Sequence, residues 1–83
     1  MTQAAYRDLI DAAARRLAGA GVEPARREAR LLMQLAAELS PTELIAIEPE
    51  PLTDQGIRTR FHIMLDRRTA REPFAHIAGK ASF

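Results

Sequence analysis

The sequence contains no cysteine and no tryptophan, and aromatic residues make up only 5% of its 83 positions. Without cysteine, the chain can form neither a disulfide framework nor a thiolate metal site. This absence fits a reducing cytosol. So few aromatic side chains also provide no stacking platform for single-stranded nucleic acid.

The sequence also lacks the apolar run of about 20 residues that a membrane-spanning helix requires. Its opening stretch, MTQAAYRDLIDAAARRL, places acidic residues and arginines inside the apolar pattern, which a secretory signal peptide does not do. We therefore expect a cytoplasmic protein. Because a chain of this length can bury only one small core, we expect a single domain.

Charge is nearly balanced overall, at a net value of +1, but it is segregated along the chain. Residues 38–57 carry five acidic residues and no basic residue, whereas residues 58–80 carry six basic residues against Asp66 and Glu72. Two interpretations are open. The acidic stretch folds back near the basic helix and the charges cancel, or the arginines form a face that attracts an acidic partner.

Apolar residues recur at helical spacing through the first half of the chain, which predicts two long helices. The first runs from Gln3 to Ala18, with Thr2 as its N-cap and the GAG sequence at 19–21 as its stop. The second has Pro24 in its first turn, where the missing N–H costs nothing. Its apolar stripe covers more than half of its circumference, so we expect this helix to lie at the centre.

The SPTE sequence at 40–43 predicts a capping box, in which the side chains of Ser40 and Glu43 each bond the other residue's backbone N–H. The short third helix that follows ends before Pro49, because the residue preceding a proline avoids helical angles. The apolar residues that this helix is expected to bury are Leu44, Ile45 and Ile47.

The second half of the chain predicts two further helices. The fourth has Thr53 as its N-cap and Asp54 in its first turn, and it ends near Ala70. Its apolar face is formed by Ile57, Phe61, Met64 and Leu65. The fifth begins at Pro73 and closes at Gly79, where we expect a positive φ or a close approach of another group before an extended exit. The predicted fold class is all-α, a small bundle of about five helices followed by the start of an extended linker.

No catalytic motif is recognisable. The sequence has neither a GxGxxG nor a P-loop pattern, and the spacing of His62 and His76 does not match a HExxH zinc site. Ser40 and Ser82 lack the flanking glycines of a nucleophile elbow. We therefore predict no catalytic, cofactor-binding or metal-binding residue in this chain, and no activity of these residues alone.

The closing sequence REPFAHIAGKASF, at 71–83, closely resembles the REPxxxIxGxxxF segment of the HemK/PrmC family, the peptide chain release factor glutamine methyltransferases. The sequence ARREARLLMQL, at 25–35, is similar to that family's arginine–acid–alanine–leucine helix. The order of the LTD sequence, the RR pair and the REP segment also agrees. The resemblance extends from about Ala5 to Phe83.

The resemblance implies a helical substrate-recognition domain at residues 1–79 and, at residues 80–83, the start of a linker to a Rossmann-like methyltransferase domain that these residues do not include. Such proteins transfer a methyl group from S-adenosylmethionine to the side-chain amide nitrogen of the glutamine in the GGQ motif of class-one release factors. The cofactor loop and the NPPY motif belong to the second domain. The implied partners are class-one release factors and the chain's own methyltransferase domain.

Four residues near the predicted linker are our candidates for contacting the partner: Arg67, Arg68, Arg71 and His76. They are chosen for their charge and position, since the family motif does not assign them. Other interpretations stay open, namely a free-standing helical interaction module or a family member that modifies another protein. A nucleic-acid-binding domain is disfavoured by the balanced charge and the acidic middle of the chain.

Overall fold

A computed structural model of the chain describes residues 3–81, with side chains over 3–79. Over this range the protein is built from helices alone, with one isolated antiparallel bridge between Ala5 and Pro51. The five helices are α1 (Tyr6–Gly19), α2 (Ala25–Ala37), α3 (Pro41–Ile47), α4 (Gln55–Thr69) and α5 (Phe74–Ala81). The all-α prediction is confirmed. None of these helices is both long enough and apolar enough to cross a membrane.

The core lies where α1 and α4 pack on either side of α2, with α5 against α4 and α2. The residues that α2 buries are Ala29, Leu32, Met33 and Ala36. Two of these are alanines, which allow neighbouring helices to approach α2 closely. Each large apolar side chain buried here stabilises the fold by about 1.5–3 kcal/mol. The prediction that the second helix is central is therefore confirmed.

The first helix starts later than predicted. We expected Gln3, but α1 begins at Tyr6, because the preceding residues run beside the connector between α3 and α4. The N–H of Tyr6 donates to the Glu50 carbonyl at 3.0 Å. The backbone at residues 4–6 therefore bonds to the connector and does not form another helical turn. Thr2, the predicted N-cap, lies outside the described residues.

The turn between α1 and α2 follows the predicted glycine stop. Gly21 adopts a φ of 81°, which glycine accepts at little cost. Pro24 precedes α2 as its N-cap, one residue before the predicted first turn. The helix ends at Ala37, and its C-cap residue Glu38 has a left-handed φ of 56° although it is not glycine.

The capping box of α3 is confirmed. The N–H of Ser40 donates to the Glu43 carboxylate at 2.8 Å, and the N–H of Glu43 donates to the Ser40 hydroxyl at 3.1 Å. Leu44 is fully buried, whereas the predicted burial of Ile45 is wrong, since that residue is 64% exposed. Ile45 projects about 100° around the helix from Leu44, away from the partly buried Ile47, and so faces solvent.

The fourth helix is capped one residue later than predicted. The carboxylate of Asp54 accepts from the N–H of Ile57 at 3.1 Å, so Asp54 is the N-cap and the assignment of Thr53 is wrong. The helix ends at Thr69, beside the predicted Ala70. Its deeply buried residues are Phe61, Met64 and Leu65. Leu52, in the connector before it, is also fully buried.

The fifth helix follows Pro73 as predicted, but its predicted end is wrong. The helix continues through Gly79 to Ala81, and Gly79 does not adopt a positive φ. A glycine stops a helix only when the backbone turns left-handed there, which does not happen here. Ile77 is fully buried and anchors the helix to the core. Of the predicted extended exit at 80–83, the first two residues are helical and the last two lie outside the described residues.

Candidate partner-binding surface

The four predicted contact residues meet at the sharp turn between α4 and α5. Two backbone bonds close the end of α4: the N–H of Arg71 donates to the Arg68 carbonyl at 2.9 Å, and that of Glu72 to the Arg67 carbonyl at 3.1 Å. Arg71 has a φ of 75°, which reverses the chain direction. Pro73 follows two residues after Arg71 and cannot continue the helix of α4. The turn thus places the arginines beside Glu72.

Glu72 is the acceptor at the centre of this turn. The Nε of Arg67 donates to Glu72 at 2.9 Å, and a second bond joins Nη2 of Arg67 to the other carboxylate oxygen. This hydrogen bonding raises the pKa of Arg67 above its ordinary value. The Nδ1 of His76, one helical turn later, lies 3.0 Å from the same carboxylate, and its ring is 63% exposed. The Glu72 carboxylate therefore holds the side chains of both Arg67 and His76 in position.

Arg68 crosses to another helix. Its Nε and Nη2 donate to the two oxygens of Glu28 on α2, at 2.8 and 3.3 Å, and its Nη1 donates to the Glu72 carbonyl at 3.0 Å. The hydrogen bond to Glu28 raises the pKa of Arg68. Both side chains of the pair are less than one-fifth exposed. Arg68 therefore joins α2, α4 and the turn.

Arg71 binds a backbone group. Its Nη1 donates to the Ala20 carbonyl at 2.6 Å, at the end of α1. The guanidinium passes so close to Gly21 that a Cβ at that position would lie 2.9 Å from Nη1. In the part of the chain that the structure describes, no carboxylate pairs with Arg71, so its positive charge is not compensated there.

The structure thus brings all four candidates together but gives them different surroundings. Arg67 and Arg68 have carboxylate partners that account for their positions. Arg71 and His76 are exposed residues. Contact of these four residues with a partner stays a prediction.

The interpretation in which the acidic stretch cancels the basic helix is not supported by the ion pairs. Between residues 38–57 and residues 58–79 no ion pair forms. Within the acidic stretch, Glu48 pairs with Arg30 of α2. Of the arginines of α4, Arg67 and Arg68 are compensated, by Glu72 and Glu28 respectively.

Two exposed arginines at the same end of the domain were not selected from the sequence. They belong to the RR doublets at 15–16 and 26–27, where one arginine of each doublet pairs with a carboxylate. The other members, Arg15 and Arg27, make no side-chain hydrogen bond or ion pair to any residue whose side chain is described. The doublets are the signal that sequence reasoning could have used. Two adjacent residues project about 100° apart around a helix, so only one arginine of a doublet can face a given neighbouring helix and pair there.

No metal site is visible among residues 3–79, since no three His, Asp or Glu side chains there are arranged to hold an ion. What the fold and this surface define is a small helical domain that presents ordered arginines at one end. The sequence pattern of the PrmC N-terminal domain matches residues 8–79, and the chain belongs to this family.

Several curated proteins are similar to the chain along most of its length. It is 38% identical to the release factor glutamine methyltransferase of Cereibacter sphaeroides over 76 residues, 92% of the chain and 27% of that protein. The enzyme of the same name from Bifidobacterium longum is also 38% identical, over 92% of the chain and 26% of that protein. The one from Caulobacter vibrioides is 36% identical, over 87% of the chain and 25% of that protein. The chain thus spans about a quarter of the length of these relatives. No solved structure gives a significant match.

Proposed function

We propose that this chain is the substrate-recognition domain of a cytoplasmic, S-adenosylmethionine-dependent methyltransferase that modifies the GGQ glutamine of class-one peptide chain release factors. The observation that carries the proposal is the family match across residues 8–79, together with relatives that are all named release factor glutamine methyltransferase. In this proposal the domain binds the release factor, while the methyl donor is held by a separate Rossmann-like domain linked to residues 80–83.

The role we propose for these helices is positional. A rigid surface that holds a large protein substrate reduces the entropic cost of bringing one glutamine to the methyl donor. The contacts between Arg68 and Glu28, and between Arg71 and the Ala20 carbonyl, support rigidity because each joins segments far apart in the chain. The burial of Ile77 holds α5, and therefore the direction in which the chain leaves the domain.

The test compares the longer methyltransferase with a version that lacks residues 1–80, using two substrates. One substrate is the intact release factor and the other is a short peptide that contains the GGQ motif. Loss of docking should raise KM for the intact release factor about tenfold or more, while kcat/KM for the peptide changes by about twofold at most. Equal losses on both substrates would contradict a docking role and indicate a purely structural one.

A further inference from the structure

The contacts of the arginines divide the domain into two ends of opposite charge. At the basic end, α1 and α4 finish and α2 begins. Three contacts assemble it: Arg16 with Asp66 at 3.0 Å, Arg68 with Glu28, and Arg71 with the Ala20 carbonyl. The charged residues of α1, α2, α4 and their turns that lie there are Asp11, Arg15, Arg16, Glu23, Arg26, Arg27, Glu28, Asp66, Arg67, Arg68, Arg71 and Glu72. Seven arginines against five carboxylates leave two positive charges in excess.

At the acidic end, α1 and α4 begin and α2 finishes. The N–H of Arg7 donates to the Glu48 carbonyl at 3.0 Å, and Arg60 donates to the Ala36 carbonyl at 3.0 Å, so these segments meet there. Among the side chains of residues 3–79, the charged ones at this end are Arg7, Asp8, Arg30, Glu38, Glu43, Glu48, Glu50, Asp54, Arg58 and Arg60. Six carboxylates against four arginines leave two negative charges in excess. The small net charge of the chain therefore conceals a charge separation.

At the basic end, three arginines carry the excess. The others are held in ion pairs with Asp11, Glu28, Asp66 and Glu72. Arg15 and Arg27 make no side-chain hydrogen bond or ion pair within the described part, and Arg71 bonds only the Ala20 carbonyl. All three residues are exposed. The exposed Glu23 forms no ion pair with any of residues 3–79 either, and it offsets one of the three charges.

We propose that the basic end receives the protein client through its exposed arginines Arg15, Arg27 and Arg71, and that the matching surface of the client is a patch of carboxylates. This inference rests on the proposed function and assigns the residues that perform it. A guanidinium matches a carboxylate with two parallel hydrogen bonds, and unpaired exposed arginines can form such bonds without first breaking an internal pair. The charge separation orients the domain as the acidic patch approaches.

The same observations favour a protein over a nucleic acid as the partner. A protein can present a compact patch of carboxylates to the basic end alone, whereas a long nucleic acid would extend past that end toward the excess carboxylates of the acidic end, in a domain 32 Å in its longest extent. Among residues 3–79 no Phe or Tyr side chain is available for base stacking, because Tyr6 and Phe61 are buried and Phe74 is packed against the core.

The test measures binding of the chain to purified intact class-one release factor by titration calorimetry. The salt concentration is about 50 mM in one series and about 300 mM in the other, so that the exposed charges are screened weakly or strongly. The variants are Arg15→Gln and Arg27→Gln, singly and together. The matched control is Arg7→Gln, which removes an exposed arginine of α1 whose side chain has no partner in the described part but which lies at the acidic end. Arg7 is about 12 Å from Arg15 along the helix axis. Arg71 stays unchanged because it also holds the Ala20 carbonyl.

Each single substitution should weaken binding about threefold to tenfold at low salt, and the double variant should weaken it by about the product of the two effects. The effects should shrink at high salt, since exposed charges are screened. The control should change affinity by less than about twofold. Circular dichroism melting curves that match the unsubstituted chain verify that the variants fold.

Each contrary result has its own meaning. If the unsubstituted chain does not bind the release factor, both the proposed function and this inference are overturned. Binding that persists unchanged in the double variant overturns only the assignment of the surface. Equal weakening by Arg7→Gln also overturns it, because net charge alone would then explain the loss. The assignment of the surface is also overturned if the double variant loses affinity for a DNA duplex while it keeps its affinity for the release factor.

Discussion

Arg68 and Glu28 form a two-bond ion pair that joins the last turn of α4 to the first turn of α2, across 40 residues of sequence. Both side chains are less than one-fifth exposed, unlike the pair between Arg16 and Asp66, whose side chains are 49% and 67% exposed. Burial decides how much an ion pair matters, since breaking a buried pair leaves a charge without solvent or partner. The first of these pairs is therefore the one that should affect stability.

Replacing Glu28 with glutamine should lower the free energy of unfolding by about 1–3 kcal/mol, because Arg68 then keeps a partly buried charge without its carboxylate. Urea unfolding followed by circular dichroism measures this loss. The control is Asp66→Asn, which breaks the exposed pair and should cost about 0.5 kcal/mol or less. Equal losses in the two variants would show that burial does not distinguish these pairs.

The response to alkaline pH follows from the raised pKa of Arg68. A raised folded-state pKa means that the pair contributes its full stabilisation below the ordinary arginine pKa, and loses it only as pH rises through the folded value. No such loss should occur between pH 8 and about 11, because arginine stays charged there. In Arg68→Lys the replacement titrates near pH 10.4, or above it if paired with Glu28.

The measurement is the difference in unfolding free energy between the chain and Arg68→Lys, at pH 8 and about pH 11. The difference should grow with pH, since only the lysine loses its charge, whereas groups common to both proteins cancel. A difference that stays constant would mean that the charge at this position does not contribute to the stability of the pair.

The left-handed conformation of Glu38 offers a stabilising substitution. Its φ of 56° at the end of α2 is strained for a residue with a Cβ and free of strain for glycine. Glu38→Gly should therefore raise the free energy of unfolding by about 0.5–1 kcal/mol. Thermal and urea unfolding test this gain. Glu38→Gln keeps the Cβ and removes only the charge, so it should give no comparable gain. An equal gain in Glu38→Gln would assign the effect to the charge.

Gly21 and Gly19 form a matched pair with opposite expectations. Gly21→Ala places a Cβ at a φ of 81° and 2.9 Å from Nη1 of Arg71, so it should destabilise by about 1–2 kcal/mol. Gly19 is the last residue of α1 and has open space around its Cα, so Gly19→Ala should stabilise by up to about 1 kcal/mol. Urea unfolding of both variants tests the contrast. Changes in the free energy of unfolding that have the same sign in both variants would contradict it.

Local features of the sequence predicted much of the fold correctly. The capping box at Ser40, the glycine stop at Gly21 and the broad apolar stripe of α2 each depend on residues within a few positions of one another. The errors arose from two causes: a local signal that a distant contact overrode, at Tyr6, and local signals that were ambiguous by themselves, at Thr53 and Gly79. Gly79 stays helical within α5, and Tyr6 bonds to the connector at Glu50.

The candidate surface could be predicted only in part. The basic character of the last helices is visible in the sequence, and it led to Arg67 and Arg68 as candidates. Their carboxylate partners, Glu28 and Glu72, are set by how α4 packs on α2 and by the turn after α4. Because a sequence does not show which charges are paired, it could not separate these arginines from Arg15.

The sequence by itself determined the helical class, the family and the basic character of the last helices, because hydrophobic periodicity, caps, motifs and local charge are properties of neighbouring residues. Only the tertiary structure decided which arginines are compensated, since an ion pair depends on the packing of helices that are distant along the chain. That packing brings Glu28 to Arg68 and the Ala20 carbonyl to Arg71, and it leaves Arg15 without a partner in the described part of the chain.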